Sequence, residues 1–265
     1  MQWLPYDGDI RRGDDVRTWL HGLGHVDAVW HLAALVPTID VDRAPETAVA
    51  INVGGTIHVL EAARTHPASP WVGVVSTSHV YAPSVTPLAE TDAIDPVSWY
   101  GLTKHQAEMW VAAFARRHDM RTCIARVFSY SDPGQREPYF LPSMIARLRQ
   151  APPLSSLSLR GASDVRDFLR GRDVADGLMF LLRCRANGVY NVASGRGVLI
   201  ADVVQALRRQ LQRDDVTVVP DAAASPSRLV ADISRMRALG WSPAADWTDV
   251  VSEAVTASAK GRTDL

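Results

Sequence analysis

The sequence predicts an α/β fold, a doubly wound parallel sheet with a smaller C-terminal lobe. Three observations carry this. Short apolar, β-rich runs alternate with longer segments of helical periodicity, the pattern of strands joined by crossover helices. The strand-like runs are almost continuously apolar, as strands covered on both faces are. Two segments rich in proline and serine, Asp132 to Asp164 and Pro220 to Arg228, break the rhythm and read as insertions that build a second lobe. The sheet domain is then 1–131 with 171–195, and the lobe 132–170 with 196–265.

In order, Val26 to Ala33 reads as a buried strand. Asp42 or Arg43 to about Thr65 reads as a helix with Pro45 in its first turn. Trp71 to Ser78 is a strand. Pro96 stops what precedes it, and a helix then runs to about Arg117, with Ala107, Trp110, Val111 and Phe114 on its apolar face. Arg121 to Ser129 is a strand. Asp173 is expected to cap a helix whose inner face holds Val174, Leu178, Leu181 and Leu182. Gly188 to Ser194 and Val216 to Val219 are strands. Ile200 to Leu211, Ile233 to Leu239 (closed by Gly240) and Thr248 to about Ala259 are helices.

The 265 residues suffice for a full core. A net charge of −1 gives no general affinity for nucleic acid or an anionic membrane. No apolar run approaches the roughly 18 residues of a membrane span. The first residues, Met-Gln-Trp-Leu-Pro-Tyr-Asp, lack the basic and apolar regions of a signal peptide. Cys123 and Cys184 lack metal-ligand spacing and read as buried thiols of a cytoplasmic protein.

Tyr100 and Lys104, in Ser98-Trp99-Tyr100-Gly101-Leu102-Thr103-Lys104, project from one side of their helix. A phenol ionises near pH ~10, and an ammonium beside it lowers that value. The pair can therefore act as acid or base near neutrality. The spacing alone equally suits an ordinary surface pair. Val74-Val75-Ser76-Thr77-Ser78-His79-Val80-Tyr81 leaves a strand at its C-terminal end, where sites gather, although a Ser/Thr-rich turn there is also common. Asn52-Val53-Gly54-Gly55-Thr56 puts two glycines inside a helix at a cost of about 1 kcal/mol each. That suggests close packing or a nearby ligand.

Taken in order, these runs resemble the extended short-chain dehydrogenase/reductases, the branch that holds nucleotide-sugar epimerases, dehydratases and 4-ketoreductases. The resemblance covers almost the whole chain and implies a Rossmann-type sheet using NAD or NADP. It implies that Asp9 and Ile10, in Tyr6-Asp7-Gly8-Asp9-Ile10, meet the adenine end of the cofactor. Leu32, Ala33 and Ala34, in His31-Leu32-Ala33-Ala34, would let its ribose and pyrophosphate pass close to the backbone. Asn52, in a run that supports the active site, would be among the cofactor contacts. Thr77 matches the catalytic hydroxyl, Tyr100 the acid/base, and Lys104 the cation that lowers the phenol's pKa and holds the ribose. Ser78, His79, Ser129, Arg166 and Arg228 match substrate positions. Ser129, in Arg126-Val127-Phe128-Ser129, replaces the family's usual Asn. Arg166, in Arg166-Asp167-Phe168, and Arg228 match diphosphate contacts, which a planar guanidinium suits. No metal is implied.

Family members open with a strand, a Gly-x-x-Gly-x-x-Gly turn and a helix, which bring backbone N–H groups to the cofactor pyrophosphate. This chain has no such motif; Gly22-Leu23-Gly24 falls in a loop before a strand. The expectation is an N-terminally truncated sheet, short of two βα units, that binds NAD(H) weakly. The strand from Val26 would then lie at an exposed edge. The family's dimers use two helices, here those of Asp42 and Tyr100, so a homodimer is expected. The family's 4,6-dehydratases carry an acidic pair after the catalytic Thr, and Ser78-His79 argues against dehydration here. The reading is an NAD(P)-dependent nucleotide-sugar epimerase or 4-ketoreductase transferring hydride at a sugar carbon. The alternative is a cofactor-free descendant that binds a nucleotide-sugar or a partner protein.

Overall fold

The structure, a computed structural model, describes residues 2–36, 38–221 and 226–260. Residues 222–225 of the second predicted insertion lie outside it. The elements run α1 (Gly13–Gly22), β1 (Ala28–His31), α2 (Thr38–Arg43), α3 (Pro45–Ala48), a π-helical segment (Val49–Gly54), α4 (Gly55–Thr65), β2 (Trp71–Thr77), α5 (Trp99–His118) and β3 (Thr122–Val127). They continue as β4 (Ser129–Ser131), α6 (Phe140–Gln150), β5 (Ser156–Leu159), β6 (Val165–Arg170), α7 (Gly171–Arg183), β7 (Gly188–Val192), β8 (Gly197–Leu199), α8 (Ile200–Gln210), β9 (Thr217–Pro220), β10 (Arg228–Leu229), α9 (Ser234–Ala238) and α10 (Trp247–Lys260).

The chain divides into two compact units, Met1–Ala82, Asp92–Val127 and Met179–Tyr190 in the first, the rest in the second. The first unit is built on the sheet β1-β2-β3-β7. β1 pairs parallel to β2 from Ala28↔Trp71 to His31↔Val74, and β2 to β3 from Val72↔Thr122 to Thr77↔Val127. All six residues of β3 are buried, which is why its sequence shows no alternation. Helices α1, α4 and α5 lay Leu20, Leu60, Val111 and Phe114 on the sheet's Val72, Val74 and Ile124.

In the second unit, β10-β6-β4 form a sheet, with β8 antiparallel to β6, and β5 pairs with β9. A separate apolar core joins α6, α8 and α10 around Leu148, Leu159, Val203 and Leu207. Buried Asp167 ties this unit's loops together, accepting from Ser194 N (2.8 Å), Ser194 Oγ (2.5 Å), Gly195 N (2.9 Å) and Ala231 N (3.3 Å).

Several expectations change. The predicted helix from Asp42 to Thr65 is continuous only from Pro45, through the π segment, whose flanking residues keep helical dihedrals; Ala44, at φ −142° and ψ 67°, separates α2 from it. Trp110 belongs to the outer face of α5 and is 44% exposed, while Ala107, Val111 and Phe114 are buried as predicted. Asp173 does not cap α7, because that helix begins two residues earlier; its carboxylate pairs with Arg170 (2.8 Å) and accepts from Ala244 N (3.2 Å). Cys184 is exposed and only Cys123 is buried. Helices α1 and α6 and the strands β5, β6 and β8 were not anticipated. No helix among the described residues is long and apolar enough to cross a membrane.

Candidate active site

The C-terminal end of β2 and the start of α5 converge in the first unit. β2 runs into a 3₁₀ turn, Ser78–Val80, capped by Thr77, whose Oγ1 accepts from His79 N at 3.3 Å. Since that oxygen is the acceptor, its own proton is free to be donated, and no acceptor for it stands among the described residues. Thr77 is 6% exposed, and His79 is exposed on one side of the turn. Helix α5 starts against this turn. Ser98 Oγ caps it, accepting from Gly101 N at 3.1 Å. A Cβ at Gly101 would collide with the His79 carbonyl oxygen, so glycine is what lets helix and turn meet. The His79 and Tyr100 rings meet edge to face, centroids 5.7 Å apart.

One turn on, Lys104 is 4% exposed. Among the described residues no hydrogen bond or ion pair engages its Nζ. Burial pulls its pKa down to about 8, with Glu108 working in the other direction. The charge of Lys104 in turn adds to the burial that brings His31, at the end of β1, down to about 3.

Asn52 sits in the π segment, a helical irregularity often found at functional sites, and is 0% exposed. Its amide holds two other elements. Leu35 N donates to Oδ1 (2.7 Å), Nδ2 donates to Leu35 O (3.1 Å), and Nδ2 also reaches Thr103 Oγ1 (3.0 Å), which donates to Tyr100 O at 2.9 Å. Through these bonds Asn52 braces the loop after β1 against α5.

In the loop, Leu32 is 61% exposed, Ala33 is exposed and Ala34 half-buried. Asp9 is also at the surface, its carboxylate gripped by Arg11 through Nε (2.9 Å) and Nη2 (2.6 Å), which draws its pKa down to about 2. Ile10 is pinned to α4, its carbonyl accepting from His58 Nδ1 at 2.9 Å and its side chain filling the space where Gly55 would carry a Cβ. Close packing thus accounts for Gly55. At Gly54 a Cβ would meet nothing nearer than 3.9 Å.

Ser129, Arg166 and Arg228 belong to the second unit, on β4, β6 and β10. Arg166 is engaged within the protein, donating through Nη1 to Ser227 O (3.1 Å) and through Nη2 to Asp164 Oδ2 (3.0 Å) and Ser227 Oγ (2.8 Å). Arg228 Nε is buried with no partner among the described residues.

Sequence reasoning passed over the buried pair Glu108 and Arg126. The signal was present, in an acidic residue one turn beyond Lys104 on the inner face of the same helix. A second signal was the choice of basic residue. Of the 28 lysines and arginines, only Lys104 and Lys260 are lysines, and arginine cannot give up its proton as lysine can.

The site is thus a parallel α/β sheet against which one helix sets a buried lysine one turn from a tyrosine. The comparisons agree: the sequence model of the NAD dependent epimerase/dehydratase family matches residues 5–193. The chain belongs to that family. It is 28% identical to the GDP-6-deoxy-D-mannose reductase of Pseudomonas aeruginosa over 229 residues, 82% of this chain and 75% of that protein. It is 27% identical to the UDP-glucose 4-epimerase of Streptomyces lividans over 270 residues, 94% of this chain and 80% of that protein. Among solved structures, RMD from Pseudomonas aeruginosa complexed with NADPH superposes with a TM-score of 0.85 at 25% identity, over 97% of this chain and 88% of that one. The UDP-glucose 4-epimerase of Thermotoga maritima does so with a TM-score of 0.84 at 22% identity, over 97% and 84%.

Proposed function

We propose that this protein is an NAD(P)-dependent nucleotide-sugar epimerase or 4-ketoreductase that transfers hydride at a sugar carbon. The observation that carries the reading is Lys104, buried, with no protein partner among the described residues, one turn from Tyr100. An uncommitted buried ammonium suits a ribose hydroxyl and a phenolate. The exposed Leu32 and Ala33 offer a surface against which a dinucleotide could lie. When bound, the nicotinamide supplies the hydride acceptor and donor.

The remaining work falls on the chain. Thr77 donates its free hydroxyl proton to the reacting sugar oxygen. Tyr100 takes the proton from that oxygen when a carbonyl forms and returns it when the alcohol re-forms. Lys104 lowers the phenol's pKa. Ser78 and His79 contact the sugar, and their replacement of an acidic pair disfavours dehydration. Ser129, Arg166 and Arg228 are proposed substrate contacts, the two arginines for the diphosphate, with Arg166 exchanging Asp164 and Ser227 for phosphate. The GDP- and UDP-sugar names of the relatives support that substrate class. We place the protein in the cytoplasm, as a homodimer formed through α5 and the helical stretch from Asp42 to about Thr65.

The test is turnover. The protein is incubated with UDP-, GDP- and dTDP-hexoses and their 4-keto forms, with NAD(H) or NADP(H), following the sugar by NMR and the nicotinamide by absorbance. Interconversion or reduction of one of these is expected. Neither turnover nor calorimetric binding with any of them overturns the reading.

A further inference from the structure

Lys104 and Glu108 lie one turn apart on the buried face of α5, 4% and 5% exposed. At this spacing a lysine and a glutamate commonly pair. No ion pair joins them among the described residues. Glu108 is held instead by Arg126 from β3, whose Nε reaches Oε1 at 3.0 Å and whose Nη2 reaches Oε2 at 2.7 Å. Arg126 is itself 5% exposed, and its guanidinium lies over the Tyr81 ring, 4.7 Å from the centroid. The fork geometry and the aromatic platform are both things arginine does and lysine does not.

We propose that Arg126 is a positioning residue for Lys104: by occupying both carboxylate oxygens of Glu108 it keeps that carboxylate from capturing the Lys104 ammonium, which stays uncommitted one turn from Tyr100. The claim about Lys104 and Glu108 stands on this geometry; its effect on Tyr100 rests on the function proposed above.

The other groups around Lys104 do not replace Glu108 as a counter-charge. His31 comes from β1 and is neutral at physiological pH. The π segment and α4 contribute Asn52 and Thr56, which carry no charge. Tyr81, after β2, faces Arg126. On α2 and α3, Asp40 lies 4.0 Å from Arg43, and Asp42 and Glu46 are exposed. His79 and Tyr100 complete the set at the start of α5.

With only two lysines in the chain, Lys104 can be titrated directly by NMR in protein labelled with ¹³C at lysine Cε, Lys260→Arg assigning the signals. This readout needs no activity. In the wild type a midpoint near 8 is expected, and one at or above the ordinary lysine value of ~10.4 means that Glu108 already holds Lys104 and overturns the proposal. In Arg126→Met the midpoint rises by roughly one to three units, and in Arg126→Met/Glu108→Gln it returns to the wild-type value. A folded Arg126→Met with an unmoved midpoint overturns it as well. Should Arg126→Met not fold, the wild-type midpoint decides. If the midpoints behave as stated and no sugar is turned over, the function reading fails while this one stands.

Discussion

His31 Nε2 lies 3.2 Å from Thr56 Oγ1, and that hydroxyl already donates its one proton to Asn52 O at 2.6 Å. The imidazole must therefore be the donor, which fixes the neutral ring with its proton on Nε2. The ring is 4% exposed, and burial aided by the Lys104 charge keeps it neutral down to about pH 3.

Stability should respond to this. The unfolded chain takes up a proton at His31 near pH ~6.5, the folded one near 3. Between those values the unfolded state binds more protons, so stability is full above ~6.5 and falls as the pH drops, by up to about 1.4 kcal/mol per unit. Melting temperatures at pH 7, 5 and 4 should show a decline that His31→Gln flattens.

Lys104→Met should separate stability from activity. The folded Lys104 loses its proton at about 8, below its unfolded value, so keeping it charged at pH 7 costs on the order of a few kcal/mol. The variant should melt several degrees higher at pH 7 while losing turnover. Wild-type stability relative to the variant should rise as pH climbs from 8 towards ~10.5, a trend absent if the ammonium is not buried in solution.

Tyr100→Phe removes only a hydroxyl from a half-buried ring. Turnover should drop by roughly 10²–10⁴-fold with melting temperature and circular dichroism unchanged. Activity near wild type excludes the acid/base role.

Gly101→Ala tests the junction of turn and helix. Inside a helix this exchange ordinarily stabilises by up to about 1 kcal/mol. Here the new methyl meets the His79 carbonyl, and overpacking reverses the sign, to a loss of roughly 1–3 kcal/mol. Chemical denaturation should show it, with a fall in turnover as Thr77 moves.

For assembly, Trp99, Met109 and Trp110 of α5 are 57%, 58% and 44% exposed, and Ile39 of α2 is 45% exposed. Trp110→Glu should leave a folded monomer by sedimentation if these helices form the dimer. A dimer of unchanged affinity assigns the contact to another surface.

Much of this was legible in the residues. The apolar strands announced themselves because both faces of β2 and β3 are covered. The Tyr100 helix was visible from its Ser98 cap and from Ala107, Val111 and Phe114. Trp110 misled because an aromatic at helical spacing counts as apolar whether or not anything covers it. The π segment was hidden because Val49 to Gly54 has no residue that demands a π turn; Asn52's bonds to Leu35 and Thr103 are tertiary. The Arg126–Glu108 pair was missed for the same reason, since residues 18 apart meet only once β3 lies under α5.

The π segment also constrains which changes of length the chain can absorb. A π turn holds an extra residue relative to regular helix. Removing any one of the six from Val49 to Gly54 would relax the helix to ordinary pitch, a gain in local geometry. It would also turn everything on one side of the cut by roughly 100° against the other, and Asn52 could no longer grip Leu35 while Gly55 seats Ile10. A single deletion here should cost more than several residues trimmed from a surface loop, and in an alignment of related chains this helix should tolerate substitution far better than gaps.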